Sequence, residues 1–193
     1  MAKLFFCLFV VLQMSCMHNS VVQEPPLNQV NIGPESVLTL PEARNILPDV
    51  QLVQLLTVEH KESKRTTQVV LTSKDNKLSV VGLFPLGGEA FRVDYVNGRI
   101  MTKSMPMPAR AFDLRFALAD IILVYAETEK LSRWLSPGVT VVDDGLGRTI
   151  LQSGEPLIKI RYQKDDRFAS NVDYEHMLRG YRIHIEPVSQ GTP

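Results

Sequence analysis

Few side chains in this sequence have the types and spacing that catalysis or metal binding requires. Adjacent carboxylates occur at Asp143-Asp144 and Asp165-Asp166, but both pairs fall in predicted turns, where solvation accounts for them. There is no Gly-x-Ser-x-Gly elbow, no His-Glu-x-x-His pair, no P-loop and no dinucleotide fingerprint. We therefore predict that the protein is not an enzyme and uses no metal and no cofactor. The histidines are scattered without metal-ligand spacing: His18, His60, His176 and His184.

Cys16 is the exception, because the residues before it predict a covalent modification of its thiol. A single charge at Lys3 precedes the apolar run Leu4–Leu12, which is shorter than the roughly 20 residues of a membrane-spanning helix. This arrangement, followed by the small residue Ser15, is typical of a secretory signal peptide. The run Leu12-Gln13-Met14-Ser15-Cys16 also resembles a bacterial lipobox, whose cysteine is diacylated and becomes the new N-terminus.

Two outcomes are open for this cysteine. Gln13 stands where a lipobox usually has an aliphatic residue, so ordinary cleavage near Ser15 that leaves a free thiol is the alternative. Cys7 would leave with the signal peptide, which makes Cys16 a lone thiol in an oxidising compartment. We expect lipidation, with acyl chains that hold the protein on a membrane at about 0.8 kcal/mol per buried CH₂. Met17 is not the Asp that tends to retain enteric lipoproteins in the inner membrane, which indicates the outer membrane.

Length and charge favour one folded domain without a preference for nucleic acid. The 193 residues carry 21 basic and 21 acidic side chains, so there is no net field to attract a polyanion. A polar stretch with little periodicity, interrupted by Pro25-Pro26 and Gly33-Pro34, indicates a tether before the domain. The predicted segments are a signal peptide over 1–15, a lipidated N-terminus and tether over 16–49, a folded domain over 50–188 and a tail over 189–193.

The folded domain is predicted to consist mainly of β-strands from Val50 onward. Three segments alternate strictly between apolar and polar residues, the pattern of an antiparallel sheet with one wet face. Turns such as Asn97-Gly98 separate successive strands, and this succession of hairpins favours a curved antiparallel sheet or barrel. The apolar sides of the three segments are Phe91, Val93 and Tyr95, then Ile158, Ile160 and Tyr162, then Tyr181, Ile183 and Ile185.

Two helices are predicted between the strands. Pro106 and Pro108 close the fifth strand, after which Ala109–Tyr125 has apolar residues at helical spacing and must be buried on nearly all sides. A shorter helix is predicted over Thr128–Leu135, so the layout is five strands, two helices and five strands. The residues leave three outcomes open: the long helix fills the core, caps a conventional barrel, or covers a half-closed barrel that holds a ligand cavity.

One turn carries apolar side chains where polar residues would cost less. Leu83, Phe84 and Leu86 surround Pro85 at the end of a predicted strand, and Gly87-Gly88 follows. Leaving such a side chain in water forfeits roughly 1.5–3 kcal/mol that burial supplies. The turn makes sense if a bilayer or another protein covers it. The alternative is that Phe84 folds back onto the sheet and only Leu86 is exposed.

The order of these features resembles LolB, the outer-membrane lipoprotein receptor. The resemblance rests on Phe84-Pro85-Leu86-Gly87-Gly88, the proline-bounded helix and Leu131-Ser132-Arg133-Trp134-Leu135 before a glycine, and it covers roughly Val50 to Val188. The chain is also similar to a family of small bacterial lipoproteins encoded with aryl-polyene pigment-lipid biosynthesis genes. The resemblance implies a mainly β (α+β) fold of the LolA/LolB kind, an unclosed antiparallel β-barrel of about 10 to 11 strands with a helical lid.

The resemblance also implies a cavity for acyl chains and a role for the apolar turn. In LolB a leucine on the corresponding loop protrudes and helps to place a lipid-modified cargo in the membrane, and Leu86 occupies that position here. Leu83 and Phe84 are assigned to the same insertion loop. The side chains expected to line the cavity, chosen by alternation and helical spacing, are Phe91, Val93, Tyr95, Phe112, Phe116, Ile122, Trp134, Ile158, Ile160 and Tyr181.

Two functional hypotheses follow from different classes. In the first, a monomer anchored to the periplasmic face of the outer membrane shelters a lipid or lipidated cargo and assists its transfer to the membrane. The cargo would be a lipoprotein, a free lipid or an aryl-polyene lipid, with a periplasmic carrier or an inner-membrane exporter as a further partner. In the second, a filled and rigid lipoprotein acts as a scaffold that binds an envelope protein through the Phe84–Leu86 loop.

Overall fold

A computed structural model of the protein describes residues 28–104 and 113–193. The predictions for Cys16, Pro106, Pro108 and Phe112 lie outside these residues. Within the described ranges, no helix combines the length and the apolar character that crossing a bilayer requires.

The described part of the chain contains twelve strands, two α-helices and short 3₁₀ turns at Ala43–Asn45 and Arg167–Ala169. The helices are α1 (Leu114–Tyr125) and α2 (Thr128–Trp134). The strands are β1 (Gln29–Gly33), β2 (Ser36–Thr39), β3 (Val50–His60), β4 (Ser63–Lys74), β5 (Lys77–Leu83), β6 (Glu89–Val96), β7 (Arg99–Ser104), β8 (Val139–Asp143), β9 (Gly147–Gln152), β10 (Glu155–Tyr162), β11 (Val172–His176) and β12 (Tyr181–Gly191).

Ten of these strands form one antiparallel sheet in the order β7-β6-β5-β4-β3-β12-β11-β10-β9-β8. In the described residues the edge strands β7 and β8 pair with β6 and β9 and not with each other, so the sheet does not close into a full barrel. Five strands of this sheet precede the two helices and five follow them. The predicted fold class, mainly β with an unclosed antiparallel sheet and two helices, is confirmed.

The inner face of the sheet follows from the period-two patterns. On β6, Val93 and Tyr95 are buried, and on β12 the same holds for Tyr181, Ile183 and Ile185. Their neighbours in sequence point away from the core, since successive side chains of a strand face opposite sides of the sheet. The alternation therefore correctly indicated which face is buried.

Helix α1 covers the inner face of the sheet. Asp113 begins it as an N-cap, because its Oδ1 accepts a hydrogen bond of 3.0 Å from the Arg115 backbone N–H. Every residue from Leu118 to Ala126 is buried, whereas Leu114 is only half-buried. The C-terminal two thirds of the helix thus belong to the core, and its first turn lies at the rim.

The residues before β3 are folded, which corrects the predicted tether. β1 and β2 form an antiparallel hairpin, and the connection to β3 packs against the sheet. Assigning residues as far as 49 to a tether was therefore wrong, because the folded unit begins at Asn28. The buried side chains of this segment are Val30, Ile32, Leu38, Leu40, Ala43, Ile46 and Leu47.

The predicted tail over 189–193 is also wrong. Strand β12 continues to Gly191 and pairs with β3 as far as the Gly191–Gln51 position, beyond a register shift between Pro187 and Ser189. The backbone carbonyl of Pro193 accepts a hydrogen bond of 3.0 Å from Lys74 Nζ. The C-terminal residues therefore extend the sheet.

Candidate functional site

An apolar cavity of about 110 Å³ lies between helix α1 and the inner face of the sheet. Gly82 on β5 helps to shape its wall, because a Cβ there would lie 2.1 Å from Cε1 of Phe91. The missing side chain lets the Phe91 ring lie across β5. The residues that line the cavity are Leu56, Val58, Thr67, Phe91, Leu114, Ala117, Asp120, Ile121, Val124, Tyr174, Ile183 and Ile185.

The cavity lies at one end of the sheet. Four turns lie at this end, which we term the cavity end: β3–β4, β5–β6, β9–β10 and β11–β12. The lining residues Val58, Thr67 and Ile183 come from the halves of β3, β4 and β12 nearest to these turns. Leu114, at the start of α1, lies in the same wall. The half-buried side chains of Leu56, Val58 and Leu114 show that the cavity opens here.

Much of the inner face that was predicted to line a cavity is packed instead. Of the predicted set, Phe91 lines the cavity, Phe116 and Trp134 pack partly buried against the core, and Phe112 lies outside the described residues. The residues that are buried in the core and do not line the cavity are Val93, Tyr95, Ile122, Ile158, Ile160 and Tyr181.

The unpredicted N-terminal hairpin explains this filling. The Tyr95 hydroxyl donates to the backbone carbonyls of Leu40 (3.0 Å) and Pro41 (2.6 Å), which places the segment after β2 over β6. The imidazole of His176 on β11 bonds through Nε2 to the carbonyl of Ile32 at 2.9 Å. Burial lowers the pKa of His176 to about 4, so the ring is neutral at physiological pH and its Nε2–H is the donor.

One of the lining residues carries a buried carboxyl group. Asp120 of α1 is 4% exposed and accepts hydrogen bonds from the hydroxyls of Tyr174 at 2.5 Å and Tyr181 at 2.6 Å. Burial raises the pKa of Asp120 to about 6, although the two tyrosine hydrogen bonds and the charge of Arg179 act in the opposite direction. The cluster ties the middle of α1 to β11 and β12, and its carboxyl group can exchange a proton near neutral pH.

Asp120→Asn should change how stability depends on pH. Because the pKa of Asp120 is raised on folding, its contribution to stability is present at low pH and is lost as pH rises through about 6. We expect the free energy of unfolding of the wild type, relative to that of the variant, to fall by about 2 kcal/mol between pH 4 and pH 8. Urea titrations across this range measure the difference.

The control for this experiment is Asp165→Asn, at an exposed position in the β10–β11 connection. This variant makes the same chemical change on the surface and therefore controls for the change in net charge. Parallel stability curves for the wild type and Asp120→Asn would show that the buried carboxyl has no raised pKa.

The C-terminus of α1 is fixed by a buried arginine. Arg148 on β9 is 0% exposed, and its guanidinium donates to the backbone carbonyls of Leu123 at 2.5 Å and Ala126 at 2.7 Å. These carbonyls have no partners within the helix, so the guanidinium acts as a C-cap with the charge that the helix dipole favours. Tyr162 adds a third bond at this point, from its hydroxyl to the Val124 carbonyl at 2.7 Å.

Asp143 completes this anchor. Its Oδ2 accepts from Arg148 Nε at 2.8 Å and from the Thr128 hydroxyl at 2.6 Å, and Arg167 contacts its other oxygen at 2.8 Å. Burial alone would raise the pKa of Asp143, but the hydrogen bonds from Thr128 and Arg148 lower it well below its usual range. The predicted solvated role of this aspartate is therefore wrong: it holds a buried arginine in place.

The first turn of α1 is less buried than the rest of the helix. Arg179 lies 3.6 Å from the centroid of the Phe116 ring and donates to the Asn31 carbonyl at 2.6 Å. Arg115 pairs with Asp113 at 2.7 Å within the same turn, so this pair does not bind the helix to the sheet. The helix is thus anchored at its C-terminus and in its middle, and of its residues that line the cavity Leu114 and Ala117 lie in its less buried N-terminal half.

The apolar turn predicted from sequence projects from the cavity end. Leu86 is 101% exposed and Phe84 is 38% exposed, whereas Leu83 is half-buried at the end of β5. The Phe84 backbone N–H donates to the Gly88 carbonyl at 3.0 Å, and both Gly87 and Gly88 have φ of +90°. Glycine tolerates this conformation, so the turn is well formed and presents Leu86 outward.

A larger groove of about 630 Å³ lies on the outer face of the sheet and is polar. One row across it alternates in charge through register pairs, running Lys159, Glu175, Arg182, Glu59 and Lys64. Each charge in this row lies opposite a charge of the other sign on the neighbouring strand, so the charges compensate one another, and exposed ion pairs contribute little to stability. We therefore take the smaller apolar cavity as the candidate site. No group of side chains in the described residues is arranged to hold a metal ion.

The chain matches the model of one protein family. The family model described as a protein of unknown function, DUF3261, matches residues 51–189. The chain belongs to this family. A search of curated proteins returned no match. A similar solved structure is a crystal structure described as an outer membrane lipoprotein-sorting protein domain from Vibrio parahaemolyticus. It has 11% sequence identity and a TM-score of 0.40, with 74% of this chain and 84% of that chain covered.

Proposed function

We propose that this DUF3261 protein is a lipid-anchored carrier that shelters an acyl chain between α1 and the sheet and assists its transfer to the membrane. The observation that supports this is the apolar cavity at the end of the sheet where Leu86 and Phe84 project. An apolar chain entering it contacts side chains such as Val58 and Ile183, and leaves past apolar residues that suit a bilayer.

The size of the cavity requires that a wall moves. About 110 Å³ is less than the roughly 150 Å³ of an apolar cavity that binds benzene, so the resting cavity holds only the end of an acyl chain. The first turn of α1 is the least buried part of the helix, whereas Arg148 fixes its other end. Outward displacement of Leu114 and Ala117 about this anchor enlarges the cavity towards the rim.

The energetic balance allows both uptake and release. Sheltering about ten methylene groups supplies on the order of 8 kcal/mol. Exposing Leu114 and Ala117, which are already half-buried, costs less than the roughly 1.5–3 kcal/mol that exposing each fully buried large side chain would cost. Binding of the acyl chain therefore displaces the helix with a modest surplus of free energy. Return of the helix to the sheet favours release once a bilayer accepts the acyl chain.

The test of this function is uptake of a fluorescent fatty acid by the folded unit, residues 28–193, which contains every described strand and helix and the core. We expect saturable binding that an unlabelled fatty acid displaces. Absence of displaceable uptake by folded protein would contradict the carrier.

The membrane anchor is tested separately at Cys16, which we propose is diacylated. Cys16→Ser in the full chain should abolish labelling by a palmitate analogue and release the protein from the membrane fraction, because no acyl chains remain to hold it. Continued labelling of the variant would show that the acylated residue is another one. Cys7→Ser is the matched control and should be labelled normally, since Cys7 lies in the proposed signal peptide.

A scaffold is the second candidate, and the packing of the inner face favours it. Val93, Tyr95 and Ile160 are filled core positions, as a rigid domain requires. In this case the Phe84–Leu86 turn would bind an envelope protein and the domain would take up no fatty acid. The uptake experiment therefore distinguishes the two candidates.

A further inference from the structure

A second apolar turn projects from the cavity end, and the sequence patterns did not reveal it. Met177 and Leu178, in the turn between β11 and β12, are 45% and 59% exposed. The turn is fixed by a hydrogen bond of 2.9 Å from the Gly180 N–H to the His176 carbonyl. Two large apolar side chains are thus exposed to solvent on a well-formed turn, like Phe84 and Leu86 on the β5–β6 turn.

The strand order places these two turns on either side of a charged one. Along the cavity end the order is β5–β6, then β3–β4, then β11–β12, so four strand spacings separate the apolar turns, about 19 Å. The middle segment, residues 59–65, carries three cations against two acids. Lys64 pairs with Glu59 at 2.7 Å, while Lys61 and Arg65 make no ion pair among the described residues.

The opposite end of the sheet differs in character. Its turns contain Asp75-Asn76, Asn97-Gly98 and the polar run Lys164–Asp166. Leu146 in the β8–β9 turn and Val142 near the end of β8 are exposed apolar side chains at this end, at 48% and 57%. Two turns that each carry a pair of exposed apolar residues, with a turn that carries cations between them, therefore occur at the cavity end.

We propose that the cavity end is a membrane-contacting surface, on which the Phe84–Leu86 and Met177-Leu178 turns insert into an anionic bilayer and Lys61 and Arg65 contact lipid phosphates. Separated apolar tips with cations between them match a bilayer, because it offers a flat apolar layer beneath a layer of negative charge. The inference rests on the proposed function and orients the carrier on the membrane. The cavity opens towards the bilayer, so an acyl chain moves between the cavity and the bilayer without crossing water.

The test measures binding of the folded unit, residues 28–193, to vesicles of equal parts phosphatidylglycerol and phosphatidylcholine by co-sedimentation. This fragment has no lipid anchor, so any binding comes from the domain. We expect Leu178→Glu and Leu86→Glu each to weaken binding at least tenfold, because a charge replaces an inserted apolar side chain. The control Leu146→Glu, exposed to a similar degree at the opposite end, should bind like the wild type.

A charge variant provides a second measurement. Lys61→Glu should weaken binding to the anionic vesicles several-fold and leave any binding to pure phosphatidylcholine unchanged. Circular dichroism confirms that each variant is folded. Wild-type binding by Leu178→Glu, or an equal loss in Leu146→Glu, would overturn the proposal. Failure of the wild-type unit to bind vesicles would also overturn it and would leave a partner protein as the occupant of the two turns.

Uptake of fatty acid separates this inference from the proposed function. Leu178 does not line the cavity, so Leu178→Glu should take up the fluorescent fatty acid as the wild type does. Loss of vesicle binding with intact uptake supports the membrane surface. Intact uptake by a wild-type unit that binds no vesicles contradicts the membrane surface and leaves the carrier standing.

Discussion

Thr67→Phe should abolish fatty acid uptake while the protein remains folded. Thr67 on β4 points into the cavity, and an aromatic ring there occupies space in a volume of only about 110 Å³. Its hydroxyl donates to the Leu83 carbonyl at 2.9 Å, and loss of this bond costs about 1 kcal/mol, which burial of the ring offsets. We expect at least a tenfold loss of affinity in the fluorescence titration, with little change in the denaturation midpoint.

The neighbouring residue supplies the matched control. Thr66 lies on the other face of the same strand, where its hydroxyl contacts that of Thr57 at 2.8 Å. Thr66→Phe therefore makes the same chemical change outside the cavity and should leave uptake intact. Equal uptake by the two folded variants would mean that the acyl chain binds elsewhere on the protein.

Arg148→Met should be among the most destabilising single substitutions in the described fold. It removes the donors to the Leu123 and Ala126 carbonyls and leaves Asp143, whose side chain is 7% exposed, with one charged partner fewer. Breaking a buried pair in this way costs about 3–5 kcal/mol, which lowers the melting temperature of a domain of this size by roughly 10 °C. Urea unfolding of the variant and wild type measures the loss.

Arg161→Met is the control for that experiment. Arg161 pairs in register with Gly147, the residue before Arg148, but it faces the outer side of the sheet and is exposed. Its substitution should change the free energy of unfolding by less than about 0.5 kcal/mol. An Arg148→Met variant as stable as the wild type would show that the C-terminus of α1 does not depend on the guanidinium.

The strands and helices of the sheet were predictable because their patterns are long and local. Strict alternation over Phe91–Tyr95 and Tyr181–Ile185 identified both the strands and their buried faces. The N-terminal hairpin was missed, although Val30 and Ile32 alternate and Leu38 and Leu40 alternate. Each pattern is only a few residues long, and the intervening Gly33-Pro34 suggests a linker, whereas Gly33 ends β1 and Pro34 begins a two-residue turn.

The cavity could be predicted only in outline. Alternation shows which side chains face inward, but not which of them meet a second layer, and the hairpin that fills the space over Tyr95 was assigned to the tether. Asp120 and Arg148 look like ordinary charged residues in sequence. Their roles depend on Tyr174, Tyr181 and the end of α1, which lie more than twenty residues away in each case. No local pattern carries such information.

The central claim is that the space between α1 and the sheet receives a hydrocarbon chain. The most direct measurement is mass spectrometry of lipid extracted from the purified folded unit and from its Thr67→Phe and Thr66→Phe variants. We expect close to one acyl lipid per molecule in the wild type and in Thr66→Phe, and almost none in Thr67→Phe. Folded wild-type protein that carries no lipid and takes none from added fatty acid would contradict the account.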